Sequence, residues 1–302
     1  SHGRYQYVLD FSRKEVVEYI YEMMAKILSE AKVSYIKWDM NRSITECYSV
    51  ALPADRQGEV FHRYILGVYD LYERLTSEFP EVLFESCSSG GGRFDPGMLY
   101  YAPQGWTSDD SDAIERLKIQ YGTSLCYPIS SMGSHVSVIP NHQVFRKTPL
   151  HTRANVAYFG TFGYELDLNS LKEEEIAEVK EQIIFMKKYR KLFQFGDFYR
   201  LKSPFEGNET IWMVVSEDKK TAIVGYYRTL NGVNQAYSRI KLQGLDPDML
   251  YENILNKTEN YGDELMNFGL ITTDVTAGEV PGDATPCTDF ESRIYILKAK
   301  EK

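Results

Sequence analysis

Three polar side chains at alternate positions follow a short strand-like run early in the chain. Residues 33–36 form this run, and Lys37, Asp39 and Asn41 come directly after it. Because side chains alternate between the two faces of a strand, a cation, a carboxylate and an amide share one face. No helix begins directly after Asp39, so we interpret it as a candidate nucleophile rather than a helix cap. Lys37 would place a positive charge near this carboxylate and favour its ionised form, and could donate a hydrogen bond to a hydroxyl group of a ligand.

A second group of acids follows another strand-like segment. Asp109 ends the segment, Asp110 stands at the turn, and Asp112 comes three residues before Glu115. The spacing of Asp112 and Glu115 is typical of a helix N-cap with its capping partner, which gives Asp112 a structural role. Asp109 is our candidate general acid/base, and Asp110 is the alternative. Two carboxylates brought across the mouth of a barrel can cleave a glycosidic bond, so the sequence indicates a glycosidase.

A glycine-rich stretch follows a third strand-like run. It extends from Cys87 to Arg93 and includes Gly90. It lacks the spacing of a phosphate-binding loop, and glycines at a strand end also let the backbone approach a sugar ring closely. Cys87 is interpreted either as a small buried residue or as a ligand contact. A thiol hydrolase that uses Cys87, His135 and Asn141 is a formal alternative without a known cysteine-nucleophile signature.

Composition and charge disfavour several classes of partner. The net charge of −9 argues against nucleic acid and anionic membranes, which bind clustered Lys and Arg. The four cysteines are scattered without CxxC spacing, and the histidines show no metal-ligand spacing, so we expect no disulfide framework, metal or cofactor. No apolar run of membrane-spanning length and no leader pattern is visible, and we expect a cytoplasmic protein.

The candidate residues lie at the ends of strands in an alternating pattern of strands and helices. We predict strands over residues 5–11, 33–39, 82–87, 104–109, 129–134 and 161–166, with helices between them that include 58–79 and 171–193. This alternation is typical of βα units with a parallel sheet, and the C-terminal strand ends carry the active site in such barrels. The predicted class is α/β, with residues 1–196 forming an incomplete (β/α)8 TIM barrel of about six units.

The pattern becomes β-rich from residue 197 onward. Apolar alternation predicts strands over 210–216, 222–227, 238–242, 265–272 and 293–297. Turn residues such as Asn231 and Gly232 separate some of these runs. We therefore predict that residues 197–302 form a C-terminal antiparallel β-sandwich domain.

Six sequence blocks, taken together and in order, resemble one known enzyme family. They are GR at 3–4 with VLDFSR at 8–13, KWDMNR at 37–42, ESCSSGGGRFDPG at 85–97, WTSDDSDAIERL at 106–117, SMGSHVS at 131–137 and SPFEGNE at 203–209. The resemblance is to the microbial α-galactosidases of glycoside hydrolase family 36, over essentially the whole chain. It implies a retaining hydrolase that removes terminal α-linked galactose from substrates such as melibiose and raffinose.

The resemblance also implies roles for individual residues. Asp39 falls on the nucleophile of the family and Asp109 on its acid/base. The residues that fall on or beside positions contacting galactose are Arg4, Lys37, Asn41, Cys87, Gly90 and Trp106. The implied partner is an α-galactoside, without nucleic acid, membrane or metal, and the full-length protein could form a homo-oligomer.

The sequence departs from the family pattern at its front. Full-length members carry an N-terminal β-sandwich and the first barrel strands, for which this sequence has no counterpart. We therefore expect a C-terminal portion of such an enzyme, which could be inactive by itself. A galactosyl transferase of the same family and a catalytically inactive sugar-binding fragment are the two alternatives.

Overall fold

The computed structural model describes residues 5–233, 239–272 and 289–300. The chain divides into two compact units, with the division between Asp109 and Asp110. Arg4 lies outside the described residues. No helix in the described ranges has the length and apolar character needed to cross a membrane.

The first unit is built on a three-stranded parallel sheet. Its elements are α1 (Lys14–Glu30), β1 (Tyr35–Asp39), α2 (Val60–Glu78), β2 (Leu83–Cys87), α3 (Pro96–Tyr101) and β3 (Gln104–Gly105), and the sheet order is β1-β2-β3. Apolar residues of α2 recur at helical spacing and bury Leu71, Tyr72 and Leu75 completely against the sheet residue Phe84. This packing fixes the sheet from one side, so that the C-terminal ends of β1 and β2 are held at the same edge.

Two predicted strands of this unit are wrong or too long. Residues 5–11 form turns and irregular backbone, because the Asp10 carboxylate accepts hydrogen bonds from the Ser12 N–H and from the Ser12 and Ser49 hydroxyls. Such local side-chain bonds compete with a strand ladder. The strand predicted over 104–109 is β3, and it ends at Gly105.

The second unit begins with three helices and a pair of parallel strands. These are α4 (Ala113–Thr123), β4 (Gly133–Ser137), α5 (Leu150–Ala157), β5 (Thr161–Glu165) and α6 (Glu173–Phe195), with β4 paired to β5. Asp112 caps α4 by accepting from the N–H groups of Ile114 and Glu115 and also pairs with Arg146. The structural role predicted for Asp112 is therefore confirmed. The strand predicted over 129–134 is displaced, because residues 129–131 form a 3-10 turn after Pro128.

A six-stranded antiparallel sheet forms the rest of the second unit. Its strands are β6 (Asp197–Lys202), β7 (Glu209–Val215), β8 (Thr221–Arg228), β10 (Leu250–Asn253), β11 (Glu259–Tyr261) and β13 (Glu291–Ala299), in the order β11-β10-β13-β8-β7-β6. A smaller pair, β9 (Arg239–Ile240) and β12 (Leu270–Ile271), contributes Ile240 and Leu270 to the same apolar core. On α5, the backbone carbonyl of Asn155 accepts a 2.6 Å hydrogen bond from the Tyr227 hydroxyl of β8.

The sequence missed three of these strands and misassigned one segment. β6, β10 and β11 were not predicted, and the strand predicted over 265–272 begins inside a helix, α7 (Gly262–Asn267). Asp263 and Glu264 in the first turn of α7 favour the helix, since acidic side chains stabilise a helix N-terminus. Gly269, with φ of +100°, follows the helix and lets the chain enter β12.

Candidate active site

The C-terminal ends of β1 and β2 are joined by hydrogen bonds that hold the predicted nucleophile in place. Asp39 is the register partner of Cys87. The Met40 N–H donates to the Cys87 carbonyl at 3.1 Å, and the Ser88 hydroxyl donates to the Met40 carbonyl at 2.9 Å. The buried Arg93 donates to the carbonyls of both Trp38 and Cys87, at 3.0 and 2.8 Å. The two strand ends therefore form one rigid edge.

The Asp39 carboxyl is held as a carboxylate by its donors. Burial would raise its pKa, but hydrogen bonds from the Cys87 thiol, the Asn41 amide and the N–H groups of Ser89 and Met40 outweigh this effect and lower the pKa. The Asn41 Nδ2 to Asp39 Oδ2 distance is 2.7 Å, and the Asn41 Oδ1 accepts from the Ser89 hydroxyl at 3.2 Å. Asp39 itself is exposed to solvent, as an attacking group must be.

Cys87 acts as a donor to this carboxylate and is unsuited to nucleophilic chemistry. Burial, together with its hydrogen bond to Asp39, raises the pKa of the thiol to about 11. A thiol with this pKa is protonated at neutral pH, whereas a cysteine nucleophile works as the thiolate. Asn141, which the thiol hypothesis also uses, instead accepts from the N–H groups of Gln143 and Val144. These contacts argue against the thiol hydrolase.

The glycine-rich loop after β2 fixes the backbone on which Asp109 stands. Gly90 has φ of +82°, and a Cβ atom there would lie 2.8 Å from the Asp109 backbone nitrogen and from the Ser108 Cα. A Cβ atom on Gly91 would lie 2.7 Å from the Thr107 carbonyl oxygen. Only residues without a side chain permit this approach. The structure thus links Asp109, through Gly90 and Cys87, to Asp39.

Lys37 and Trp106 lie together beside these groups. The Lys37 Nζ is 5.0 Å from the centroid of the Trp106 ring, and Trp106 is almost fully buried. The backbone N–H of Trp106 donates to the Ser86 carbonyl at 3.0 Å, so the pairing of β2 with β3 continues one residue beyond the end of β3. The ring and the ammonium together offer an apolar wall with a cationic edge.

The sequence reasoning missed a buried carboxylate, Glu85. Its Oε1 lies 3.8 Å from the Lys37 Nζ. The signal that could have identified it is its position, in phase with Cys87 on a buried strand where an isolated acid requires a partner.

A second candidate acid follows Asp109 directly in the chain. Asp110, the alternative acid/base, belongs to the second unit and accepts a 3.0 Å hydrogen bond from the Asp112 N–H. Across the described ranges no group of three or more His, Cys, Asp or Glu side chains is arranged to bind a metal. The first unit therefore contains the predicted site residues Asp39, Asp109, Lys37, Asn41, Cys87, Gly90 and Trp106, and the structure adds Glu85 beside Lys37.

The thiol contribution to the ionisation of Asp39 can be measured. In the Cys87→Ala variant we expect the pKa of Asp39 to rise, because the carboxylate loses one donor. Titration of isotopically labelled aspartate carboxyl carbons by NMR measures this change. Cys87→Ser is the matched control, since its hydroxyl can still donate, and we expect a smaller shift. An unchanged pKa in the alanine variant would contradict the assignment.

Two family models match the chain in succession. The melibiase model matches residues 1–196, and the model of the glycosyl hydrolase family 36 C-terminal domain matches residues 209–297. Together they cover the alternating β/α part and the antiparallel sheet from β7 onward.

Individual relatives give the same result. The chain is 56% identical over 304 aligned residues to alpha-galactosidase AgaA of Geobacillus stearothermophilus and 49% identical over 297 to alpha-galactosidase Mel36A of Lactobacillus acidophilus. These alignments span 100% and 98% of the chain but only 40% and 39% of the relatives. The chain is thus similar to less than half of each enzyme.

Solved structures agree with the sequence comparison. The crystal structure of the family 36 alpha-galactosidase AgaA superposes with a TM-score of 0.92 at 53% identity, covering 99% of this chain and 40% of that one. Variants of the same enzyme have been solved in complex with raffinose and with stachyose. Family models match both parts of the chain, and relatives share about half of its residues over nearly its whole length. The chain therefore belongs to the melibiases of glycoside hydrolase family 36.

Proposed function

We propose that the protein containing this chain is an α-galactosidase that hydrolyses terminal non-reducing α-D-galactosyl residues with retention of configuration. The relatives named above are alpha-galactosidases, and the chain spans about 40% of their length. Raffinose and stachyose, the ligands of the AgaA variants, indicate the substrate class of raffinose-type oligosaccharides.

The observation that carries this proposal is the spacing of the two carboxylates. The AgaA variant in complex with raffinose carries a substitution at one aspartate, and the variant in complex with stachyose carries a substitution at another. These two aspartates are 70 positions apart in that enzyme. Asp39 and Asp109 are also 70 positions apart. Asp39, at the end of β1, and Asp109, four residues after β3, thus have the separation of the two aspartates that were replaced in the substrate-bound variants.

The first chemical step follows from the ionisation of Asp39. Its carboxylate attacks the anomeric carbon while the glycosidic bond breaks, and Asp109 donates a proton to the departing oxygen. Asp39 suits this role because its four donors keep it ionised, and because it is solvent-exposed at the end of β1. The product is a galactosyl ester of Asp39 and a free aglycone.

The second step reverses these roles. Asp109, now a carboxylate, removes a proton from water, and the resulting oxygen attacks the anomeric carbon and displaces Asp39. Two inversions give net retention. Retaining enzymes hold the two carboxyl groups about 5–5.5 Å apart, which leaves no space for a water molecule between nucleophile and sugar. Transfer to a sugar hydroxyl would use the same intermediate, so hydrolysis and transfer differ only in the acceptor.

The remaining site residues would bind the galactose ring. Trp106 is proposed as a sugar contact on the family resemblance, and Lys37, whose ammonium lies near the Trp106 ring, and Asn41 would provide donors to the sugar hydroxyls. Cys87 and Gly90 shape the wall beside Asp39. Arg4 is proposed as a further sugar contact on the family resemblance alone.

We also propose the domain division on the same basis. Residues 1–196 would be part of a (β/α)8 barrel of about six units, and residues 197–302 a C-terminal β-sandwich. The two family models support this division because they match residues 1–196 and 209–297.

Removal of the nucleophile tests the first step. In the full-length protein that contains this chain, Asp39→Ala should lower kcat/KM on raffinose by at least about 10³-fold, because no covalent intermediate can form. Sodium azide should restore part of the rate and give β-galactosyl azide, since azide occupies the space of the lost carboxylate. Asp39→Asn is the control in which that space stays filled. Near-normal activity of Asp39→Ala would refute the assignment.

A substrate that needs no acid tests the role of Asp109. Asp109→Asn should lower kcat/KM on raffinose by about 10²–10⁴-fold. On a dinitrophenyl galactoside the loss should be much smaller, because that leaving group departs without protonation. Asp110→Asn is the matched control and should affect both substrates little. Equal losses on the two substrates for Asp109→Asn, or the selective loss in Asp110→Asn, would contradict the assignment.

A further inference from the structure

A lysine, a glutamate and a glutamine form a row across the three strands beneath the proposed sugar site. Lys37 of β1 is the register partner of Glu85 of β2, and Glu85 is the register partner of Gln104 of β3. Partners in a parallel sheet project from the same face, which here is also the face that carries Asp39, two residues after Lys37. The row therefore belongs to the same side of the sheet as the nucleophile.

The carboxylate of this row is buried although the lysine is not. Glu85 is 2% exposed, whereas the Lys37 side chain is 41% exposed. One carboxylate oxygen, Oε1, lies 3.8 Å from the Lys37 Nζ, and the other, Oε2, accepts a 2.9 Å hydrogen bond from the Gln104 amide. Burial of a carboxylate is costly unless charge and hydrogen bonds compensate it, so the lysine is the countercharge of a fixed anion.

The position of the lysine ammonium is restricted from a second side. Its nitrogen stands 5.0 Å from the centroid of the Trp106 ring, which is itself buried. A lysine has a flexible four-carbon stem, and an isolated ammonium explores many positions. The Glu85 carboxylate and the Trp106 ring both attract the ammonium, which narrows the positions it occupies, so a ligand hydroxyl would meet a donor that is partly oriented in advance.

We propose that Glu85 is a positioning residue of the galactose site, which acts by holding the ammonium of Lys37 in the place where it donates to a sugar hydroxyl. The proposal rests on the proposed function, because Lys37 is assigned there as a sugar donor. Glu85 acts from below the site, through the ammonium. Replacing Glu85 should therefore weaken sugar binding, because the ammonium of Lys37 would no longer be held in the place from which it donates.

A double-mutant cycle tests this coupling in the full-length protein. The variants are Glu85→Gln, Lys37→Met and the double variant, with kcat and KM on raffinose and the inhibition constant of free galactose as readouts. Each single change should raise KM and the galactose inhibition constant about 10- to 100-fold, as expected for one hydrogen bond to a charged group. kcat should change less, since the contact exists before the transition state. The double variant should be no weaker than Lys37→Met alone.

Two controls separate this coupling from a general effect on folding. Ser86→Ala changes the neighbouring buried residue on the opposite face of β2 and should leave all constants unchanged. Gln104→Met removes the second partner of Glu85 and should weaken galactose binding in the same direction but less. Lys37→Met should have a lower midpoint temperature of thermal unfolding than the wild type, because Glu85 loses its countercharge. The double variant with Glu85→Gln should recover part of that decrease, because it contains no unpaired carboxylate.

The outcomes are distinct. If the wild-type enzyme cleaves raffinose, two results would overturn the positioning role of Glu85. One is a double variant in which the losses of galactose affinity of the two single variants add, and the other is wild-type galactose affinity in Glu85→Gln. A full-length wild-type protein that neither cleaves raffinose nor binds galactose would overturn the proposed function, and the role of Glu85 with it.

Discussion

The loop after β2 lies against the backbone of residues 107–109 at a distance that no side chain would allow. A Cβ atom on Gly90 or Gly91 would approach that backbone to 2.8 or 2.7 Å, so the contact exists only because both residues are glycine. The same loop begins at Cys87, whose thiol donates to Asp39. One close packing contact therefore relates the backbone of Asp109 to the loop that begins beside Asp39, and the proposed chemistry depends on it. The fixed strand ends and the Arg93 hydrogen bonds serve to keep that loop in place.

A second constraint concerns charge at the end of β1. Burial and hydrogen bonding act in opposite directions on the pKa of Asp39, and the hydrogen bonds prevail and lower it, which favours the carboxylate that the proposed mechanism uses. Cys87 takes part because burial keeps it protonated and makes it a permanent donor. The ammonium of Lys37 is paired with the Glu85 carboxylate and lies near the Trp106 ring. This arrangement keeps its positive charge on the face of the sheet that carries Asp39.

Much of the site could be predicted from the sequence, but only where local pattern determined position. Strand alternation identified Asp39 and placed Lys37 on its face. The ranking of Asp109 above Asp110 stays a prediction, and the contact of Gly90 with the Asp109 backbone joins distant segments that no local pattern brings together. Glu85 was missed for the same reason, since its importance appears only when β1 and β2 are paired in register.

The fold shows the same division between local and distant information. Amphipathic helices such as α2 were predicted well, because helical periodicity is a local property. Residues 5–11 resemble a strand in composition, yet the carboxylate of Asp10 closes turns that a composition pattern does not reveal. Short strands such as β10 and β11 depend on partners far along the chain, and the apolar pattern of three or four residues is too brief to indicate them.

In the proposed mechanism Asp39 forms the covalent bond to the sugar, and Asp109 donates and accepts the proton. When the full-length protein is incubated with 5-fluoro-α-D-galactosyl fluoride, hydrolysis of the covalent fluorogalactosyl-enzyme is slow, so this intermediate accumulates. Its peptides can then be analysed by mass spectrometry. We expect one fluorogalactosyl group on the peptide that contains Asp39, mapped by fragmentation to that side chain. A label on Asp109, Asp110 or Cys87 in an enzyme that cleaves raffinose would contradict this mechanism.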